Sequence, residues 1–373
     1  FNASQNYPIF SVSQTKTKYE SNTFRSLLTW KYRSEKIENY LRTAYLEDEF
    51  GYFANIDGPK SSGGISKTFL VKNDLNYEIL RNLSFNFINE FQNQIGEGFG
   101  SGIENPKRNT FSTAGLLRFQ PSEKIYLEGG AKKDFIEKVE SPFLFSFGVN
   151  YKPISWYELK INASKNFRNP SFNDLYWKPG GNLNLRSESS YQAEFSNIFE
   201  YKTFKFSVTP FIIEVTDLIR WIPTSGGFWA PENVEKVLSK GIESSLSYSE
   251  KFGENNLKLN LGYTYSNSQN RETKQQLSYV PFHKIFGNLD YQYHFFGIYV
   301  QGMFNGLTYT STDENYSEAL KPYFVANAGI FAEYKNFKLT FKVNNIGDQV
   351  YETTAYYPMP KRNYLLNLNI NLK

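Results

Sequence analysis

The chain has 373 residues, 40% of them hydrophobic, and no cysteine, which excludes disulfides and thiolate metal sites. Its formal net charge of +4 is small for this length, and its 41 Lys and Arg are scattered rather than gathered on one stretch, so nucleic acid is not an expected partner. No apolar run approaches the roughly 18 residues of a membrane-spanning helix, so any bilayer crossing falls to strands.

Strand-like runs begin at about Tyr7, and the connections between them are of two kinds. Tight ones fall near Ser34-Glu35, Arg81-Asn82, Pro121-Ser122, Lys152-Pro153, Tyr201-Lys202, Phe252-Gly253, Phe296-Gly297 and Lys335-Asn336. Longer ones, rich in Gly, Asn, Pro and Ser, alternate with them: Gly51 to Gly64, Gly96 to Asn109, Asn169 to Arg186, Pro223 to Glu235, Arg271 to Pro281, Ser311 to Lys321 and Thr353 to Lys361. Two further connections, near Glu20-Ser21 and Val139-Glu140, are short although they fall on the long side. Short turns at one end and long loops at the other are the pattern of an up-and-down antiparallel β-barrel in an outer membrane.

Within the runs, apolar residues keep to one face. In the fourth, Phe69, Val71, Leu75, Tyr77 and Ile79 oppose Lys72, Asp74, Asn76 and Glu78; in the thirteenth, Leu257, Leu259, Leu261, Tyr263 and Tyr265 oppose Lys258, Asn260, Thr264 and Ser266. The same period of two runs from Tyr323 to Lys373, with Phe337, Leu339, Phe341 and Val343 against Lys338, Thr340 and Lys342. Runs of about ten to fifteen residues suit a tilted spanning strand better than a globular one. Aromatics make up 18% of the chain, a surplus expected of girdles at the two membrane interfaces. The fold class is therefore all-β, a transmembrane barrel wall of about 18 strands in one domain over residues 1–373.

Candidate chemistry is sparse. The two His, His283 and His294, lie on one predicted strand beside aromatics and read as surface or lumen positions. No Ser, His and Asp set or paired-carboxylate motif has a recognisable context, so no enzyme is expected. The Gly-rich stretch Gly96 to Gly102 reads as an outer loop, because no helix follows to cradle phosphate. Glu47, Asp48 and Glu49 beside Asp57 offer oxygen ligands of the kind that hold Ca²⁺, against the plainer reading of solvated loop acids. Loops carrying Tyr176, Trp177, Trp221, Phe228, Trp229, Tyr356 and Tyr357 offer flat apolar surface with polar handles for a bulky ligand, against the plainer reading of girdle residues.

The stretch NFRNPSFNDLYWKPGGNLNL, Asn166 to Leu185, resembles a signature of TonB-dependent outer-membrane receptors. Its matching residues are Arg168, Pro170, Ser171, Phe172, Asp174, Leu175, Tyr176, Gly181, Asn182 and Leu185. Three further segments strengthen the resemblance: LIRWIP, FWAPENV and VLSKGIE across Leu218 to Glu243, VNNIGDQVYE at Val343 to Glu352, and YPMPKRNY at Tyr357 to Tyr364. The pairing of NDLYW with WAPENV is most similar to the cobalamin-receptor-like branch.

That resemblance implies a barrel of 22 strands in the outer membrane of a Gram-negative bacterium, so about four strands and a plug domain are expected outside these residues. It implies energy-coupled uptake of a cobalamin-, siderophore- or oligomer-like ligand, with outer-membrane lipid and a periplasmic TonB-type protein as partners, the latter acting through the plug. A surface lipoprotein or another outer-membrane subunit is the remaining partner expectation. The competing expectations are a plugless or split barrel serving an outer-membrane complex, and a passive channel. Arg168 and Asp174 are expected to be mainly structural, pairing inside the wall or at the loop base where a charge needs a partner.

Overall fold

The computed structural model describes residues 2–7, 16–100, 103, 105–137 and 139–371; Ser101, Gly102, Leu372 and Lys373, which the sequence reading placed in a loop and a last strand, lie outside them. The strands are β1 (Asn2–Tyr7), β2 (Thr17–Arg33), β3 (Ile37–Phe53), β4 (Ser62–Leu80), β5 (Leu83–Phe99), β6 (Lys107–Ser122), β7 (Ile125–Ile136), β8 (Phe143–Ile154), β9 (Tyr157–Arg168) and β10 (Glu188–Tyr201). They continue as β11 (Phe204–Pro223), β12 (Trp229–Phe252), β13 (Asn255–Asn270), β14 (His283–Tyr293), β15 (Phe296–Asn305), β16 (Tyr323–Tyr334), β17 (Phe337–Asn344), β18 (Glu352–Thr354), β19 (Tyr357–Pro358) and β20 (Asn363–Ile370). Eighteen of them share one sheet, matching the expected number, and β18 and β19 form a separate hairpin. A single short helix, α1 (Phe172–Tyr176), interrupts the connection from β9 to β10.

The chain packs as two compact units. In the first, β2 to β7 run as consecutive antiparallel hairpins, with Arg33 opposite Glu38 at one tight turn and Leu80 opposite Leu83 at the next. One face of this sheet carries Trp30, Phe85, Phe87 and Leu117, all largely exposed apolar side chains. The other face carries ion pairs between neighbouring strands, Arg42 with Asp74 at 3.4 Å and Arg118 with Glu128 at 2.9 Å. Alternation of the pleat separates the two chemistries.

The second unit repeats the design from β13 to β17 and β20. Leu259, Leu289, Val300, Ala328 and Val343 are successive cross-strand neighbours on one face. Lys338 and Lys342, facing Asn369 and Leu365, lie on the other. Glycines let bulky rings lie across this sheet: a Cβ on Gly262 would stand 2.0 Å from the Phe286 ring.

Four of the expected connections differ. No connection exists at Glu20-Ser21, because Thr17 to Asn22 is held by β1 on one side and β3 on the other, which satisfies its backbone as continuous strand. The loop expected over Pro223 to Glu235 shrinks to 224–228, since β12 begins at Trp229. The turns expected at Lys152-Pro153 and Phe296-Gly297 fall instead at 155–156 and 294–295, and His294, with φ of 50°, sits in the latter just beyond β14.

Candidate functional site

The 19-residue connection from Asn169 to Ser187 is strapped to its own unit rather than left open. Ser171 caps α1 with a reciprocal pair: its hydroxyl accepts from the Asp174 N–H at 3.1 Å, and the Asp174 carboxylate accepts from the Ser171 N–H at 2.8 Å. The same carboxylate, only 6% exposed, accepts from the Trp221 indole N–H at 2.8 Å on its other oxygen. Trp221, expected among ligand-facing aromatics, is thereby a structural tie.

Arg168 at the end of β9 grips Glu188 at the start of β10 through two parallel bonds of 2.8 and 2.5 Å. Glu188 in turn accepts from the Ile219 N–H at 2.6 Å. Asp174 stands 3.8 Å from Arg168, the weaker arm of a network centred on Glu188. Arg186 completes the base. It reaches Asp217 at 2.6 Å, while the Asn233 side chain bridges the Arg186 and Asp217 carbonyls.

The glycines of the motif have steric reasons. A Cβ on Gly180 would lie 2.1 Å from the Trp229 carbonyl oxygen, and one on Gly181 would lie 2.7 Å from the Trp177 backbone. Asn182 returns its N–H to the Asp174 carbonyl at 2.9 Å and its side chain to that of Pro231 at 3.3 Å. Pro170 and Phe172 meet Arg108 of β6, which donates to the Pro170 carbonyl at 2.8 Å and lies 5.1 Å over the Phe172 ring.

This arrangement leaves an open cleft of about 640 Å³ beside α1, lined by Arg108, Phe172, Leu175, Tyr176, Leu183 and Leu185 among others. Of the aromatic candidates in this unit, Tyr176 lines the cleft; Trp177 lies within the strapped loop, Trp229 meets it at Gly180, and Phe228 packs in its own turn beside Gly226, none of the three lining the cleft. Tyr356 and Tyr357 belong to the second unit, in and beside the β18–β19 hairpin, where Tyr356 is 77% exposed. Asn345, only 2% exposed, shapes that connection by donating to the Gln349 carbonyl and accepting from its N–H, which accounts for the VNNIGDQ stretch.

The four acids proposed for Ca²⁺ do not form a cage. Successive residues of a strand point to opposite faces, so Asp48 turns to Arg25 at 2.7 Å, whereas Glu47 receives the Tyr45 hydroxyl and Glu49 pairs with Lys60. Asp57 lies in the following turn, and no group of three or more metal-ligating side chains occurs among the described residues.

Sequence reasoning missed Gln276, which is 1% exposed in the second unit. Its N–H donates to Glu314 at 2.5 Å and its side chain accepts from the Ser268 N–H at 2.9 Å, joining two long connections. In the same unit the Ser311 hydroxyl donates to Asp313 and holds its carboxyl below the usual range.

The family model for the TonB-dependent receptor-like β-barrel matches residues 1–346. The chain belongs to that family. The vitamin B12 transporter of Photobacterium profundum is 24% identical over 365 residues, covering 92% of this chain and 56% of that protein. That of Vibrio vulnificus is 35% identical over 101 residues, 26% of this chain and 16% of its own length. Among solved structures, the ferric enterobactin receptor of Pseudomonas aeruginosa aligns with a TM-score of 0.77 at 16% identity, covering 95% of this chain and 62% of its own. An iron transporter from Neisseria meningitidis aligns at 0.77 and 13% identity, covering 99% and 67%. The chain thus spans little more than half the length of the first of these relatives.

Membership in this family of TonB-dependent receptors makes the chain a barrel wall of the Gram-negative outer membrane. In each unit the apolar face, with Phe87 in the first and Leu289 in the second, is the lipid face, and in the first unit the face of ion pairs such as Arg42–Asp74 is the opposite one.

Proposed function

We propose that this chain is the wall of a receptor for energy-coupled uptake of a bulky, scarce ligand of the cobalamin or ferric-siderophore kind. The observation that carries the reading is the strapped outer loop. Residues 169–187 are fixed by the Arg168–Glu188 and Asp174–Trp221 contacts, and they shape a cleft that presents an aromatic ring and a cation. The named relatives, a vitamin B12 transporter and a ferric enterobactin receptor, support the ligand class. A plug elsewhere in the full-length protein, pulled by a TonB-type partner, is part of this proposal.

Two exposed strands support the remainder of the barrel. β2 is registered with β3 along its length but with β1 only from Thr17 to Asn22, and Leu28 is 73% exposed. In the second unit every residue of β20 is exposed, with Leu366 at 67%. Bare apolar strands of this kind call for flanking strands, about four on the family pattern of 22.

The test is binding of cyanocobalamin and a panel of ferric siderophores to the full-length gene product in detergent, followed by tryptophan fluorescence. Saturable binding of one ligand, weakened by Y176A while the folded band on an unheated gel persists, is the expected result. A gene product that lacks a plug and binds none of the panel would sink the reading in favour of a structural subunit.

A further inference from the structure

On the face of the second unit opposite its lipid face, charges of opposite sign stand in one row without meeting. Glu243 of β12 lies directly opposite Thr264 of β13, and Thr264 directly opposite Lys284 of β14. Two strand spacings put the backbones of Glu243 and Lys284 about 10 Å apart, with a hydroxyl rather than a countercharge between them. Among the described residues neither has an ion-pair partner, and nor has Glu194 of β10. Glu214 and Glu333 of the same unit, by contrast, pair with Arg271 and Lys338, each at 3.4 Å.

Glu194, Glu243 and Lys284 line a pocket of about 360 Å³. Phe211 of β11 lines it too, its ring against Gly241, where a Cβ would stand 2.7 Å away. The facing wall is the segment Tyr279 to Pro281. Tyr279 has φ of 61°, a left-handed conformation that a bulky residue rarely adopts. Its neighbours hold it there: the Tyr279 N–H donates to the Tyr309 carbonyl at 2.7 Å, and the buried Gln276 side chain donates to the Val280 carbonyl at 3.1 Å. Backbone strain persists only where the surroundings over-determine it, and it gathers at ligand clamps.

We propose that this pocket binds a free α-amino acid with an apolar or aromatic side chain. Its ammonium group meets Glu243 and Glu194, its carboxylate meets Lys284, and its side chain packs against Phe211 and Tyr279. Charge and spacing together select this class. An ammonium and a carboxylate on one Cα, with a charge-assisted bond of about 2.8 Å at either end, span about 9 Å. That matches a row about 10 Å long. A simple anion or cation leaves one charge of the row unanswered, and each added residue of a peptide separates the terminal charges by about another 3.5 Å. The inference rests on the second unit alone, whatever ligand the cleft beside α1 takes.

Calorimetric titration of the full-length gene product in detergent tests it, with L-phenylalanine and L-leucine as probes. N-acetyl-L-phenylalanine lacks the ammonium group, and L-phenylalaninamide lacks the carboxylate. Saturable binding of a free amino acid is expected, with each blocked form of phenylalanine weaker by roughly tenfold or more, the worth of one charged hydrogen bond. E194Q/E243Q is expected to lose the preference over the N-acetyl form and to keep that over the amide, and K284M to do the reverse, both with the folded band on an unheated gel retained. A general loss of pocket shape would not give that crossed pattern. Binding of neither amino acid, equal binding of the blocked forms, or variants that keep both preferences would each overturn the proposal.

Discussion

The indole N–H of Trp221 and the carboxylate of Asp174 meet at 2.8 Å, although 47 residues separate them, and this bond pins α1 to β11. Asp174 also accepts from the Ser171 N–H and hydroxyl. Replacing it by Asn puts a donor against donors in a buried place, with a loss of about 1–3 kcal/mol in local stability. W221F removes one donor and leaves the cap intact, so it costs less, about 1 kcal/mol. Hydrogen exchange of residues 169–187 checks the order: D174N releases these amides more than W221F, with β4 and β5 unchanged. Equal release by the two variants would refute the shared-acceptor account.

Arg168 and Glu188 form a two-bonded pair whose members are 49% and 12% exposed at the side chain. Half-exposure of the guanidinium discounts its electrostatic worth, leaving a coupling of about 1 kcal/mol. Lys keeps the charge and loses the parallel bonds, so R168K is expected to resemble R168A more than the parent. A double-mutant cycle with E188Q, read by protection of the same loop, gives the coupling. The Ile219 N–H still finds an acceptor in E188Q, which isolates the Arg168 contribution.

Much of this was legible in the sequence because a strand writes its two faces as alternate residues. The face of Leu257, Leu259 and Leu261 and the number of strands follow from that period alone. Loop ends were not legible where backbone partners decide them. Thr17 to Asn22 is polar enough for a turn, yet two neighbouring strands hold it extended. Motif residues such as Arg168, Pro170 and Asp174 stood out, as did Trp221, but which side chain each would meet did not. Glu188, Trp221 and Arg108 are 20, 47 and 62 residues from their contacts, and only folding brings them near. The proposed Ca²⁺ set failed for the reason that exposes strands in the first place, since adjacent acids on β3 face opposite ways.

Asp313 provides a pH-dependent element in the connection from β15 to β16. The Ser311 hydroxyl depresses its folded-state pKa, with the Asn315 N–H adding a smaller share. A depressed carboxylate stabilises the fold above its unfolded pKa, near 3.9, and that contribution is lost as pH falls through the lower folded value. Amides of 311–318 are therefore expected to lose protection as pH falls below about 4, relative to S311A, in which the shift is relieved. Hydrogen exchange corrected for intrinsic rates measures this, and identical profiles for the parent and S311A would exclude the contribution.

Gly180 and Gly227 separate close approach from backbone conformation as reasons for a glycine. At Gly180 a methyl group would stand 2.1 Å from the Trp229 carbonyl oxygen, a backbone atom within β12 that cannot swing aside. At Gly227 nothing lies within 4 Å, but φ is +78°. G227A therefore costs only the left-handed conformation, about 1 kcal/mol, confined to its own short turn. G180A instead drives 178–181 away from β12, with a loss of about 1–3 kcal/mol and opening of the cleft beside α1. Trp229 and Trp177 report it: G180A shifts their emission toward that of solvent-exposed indole and speeds proteolysis within 169–187, whereas G227A leaves that loop protected. If G227A opened the loop as readily as G180A, contact with the Trp229 carbonyl could not be what holds the strap in place.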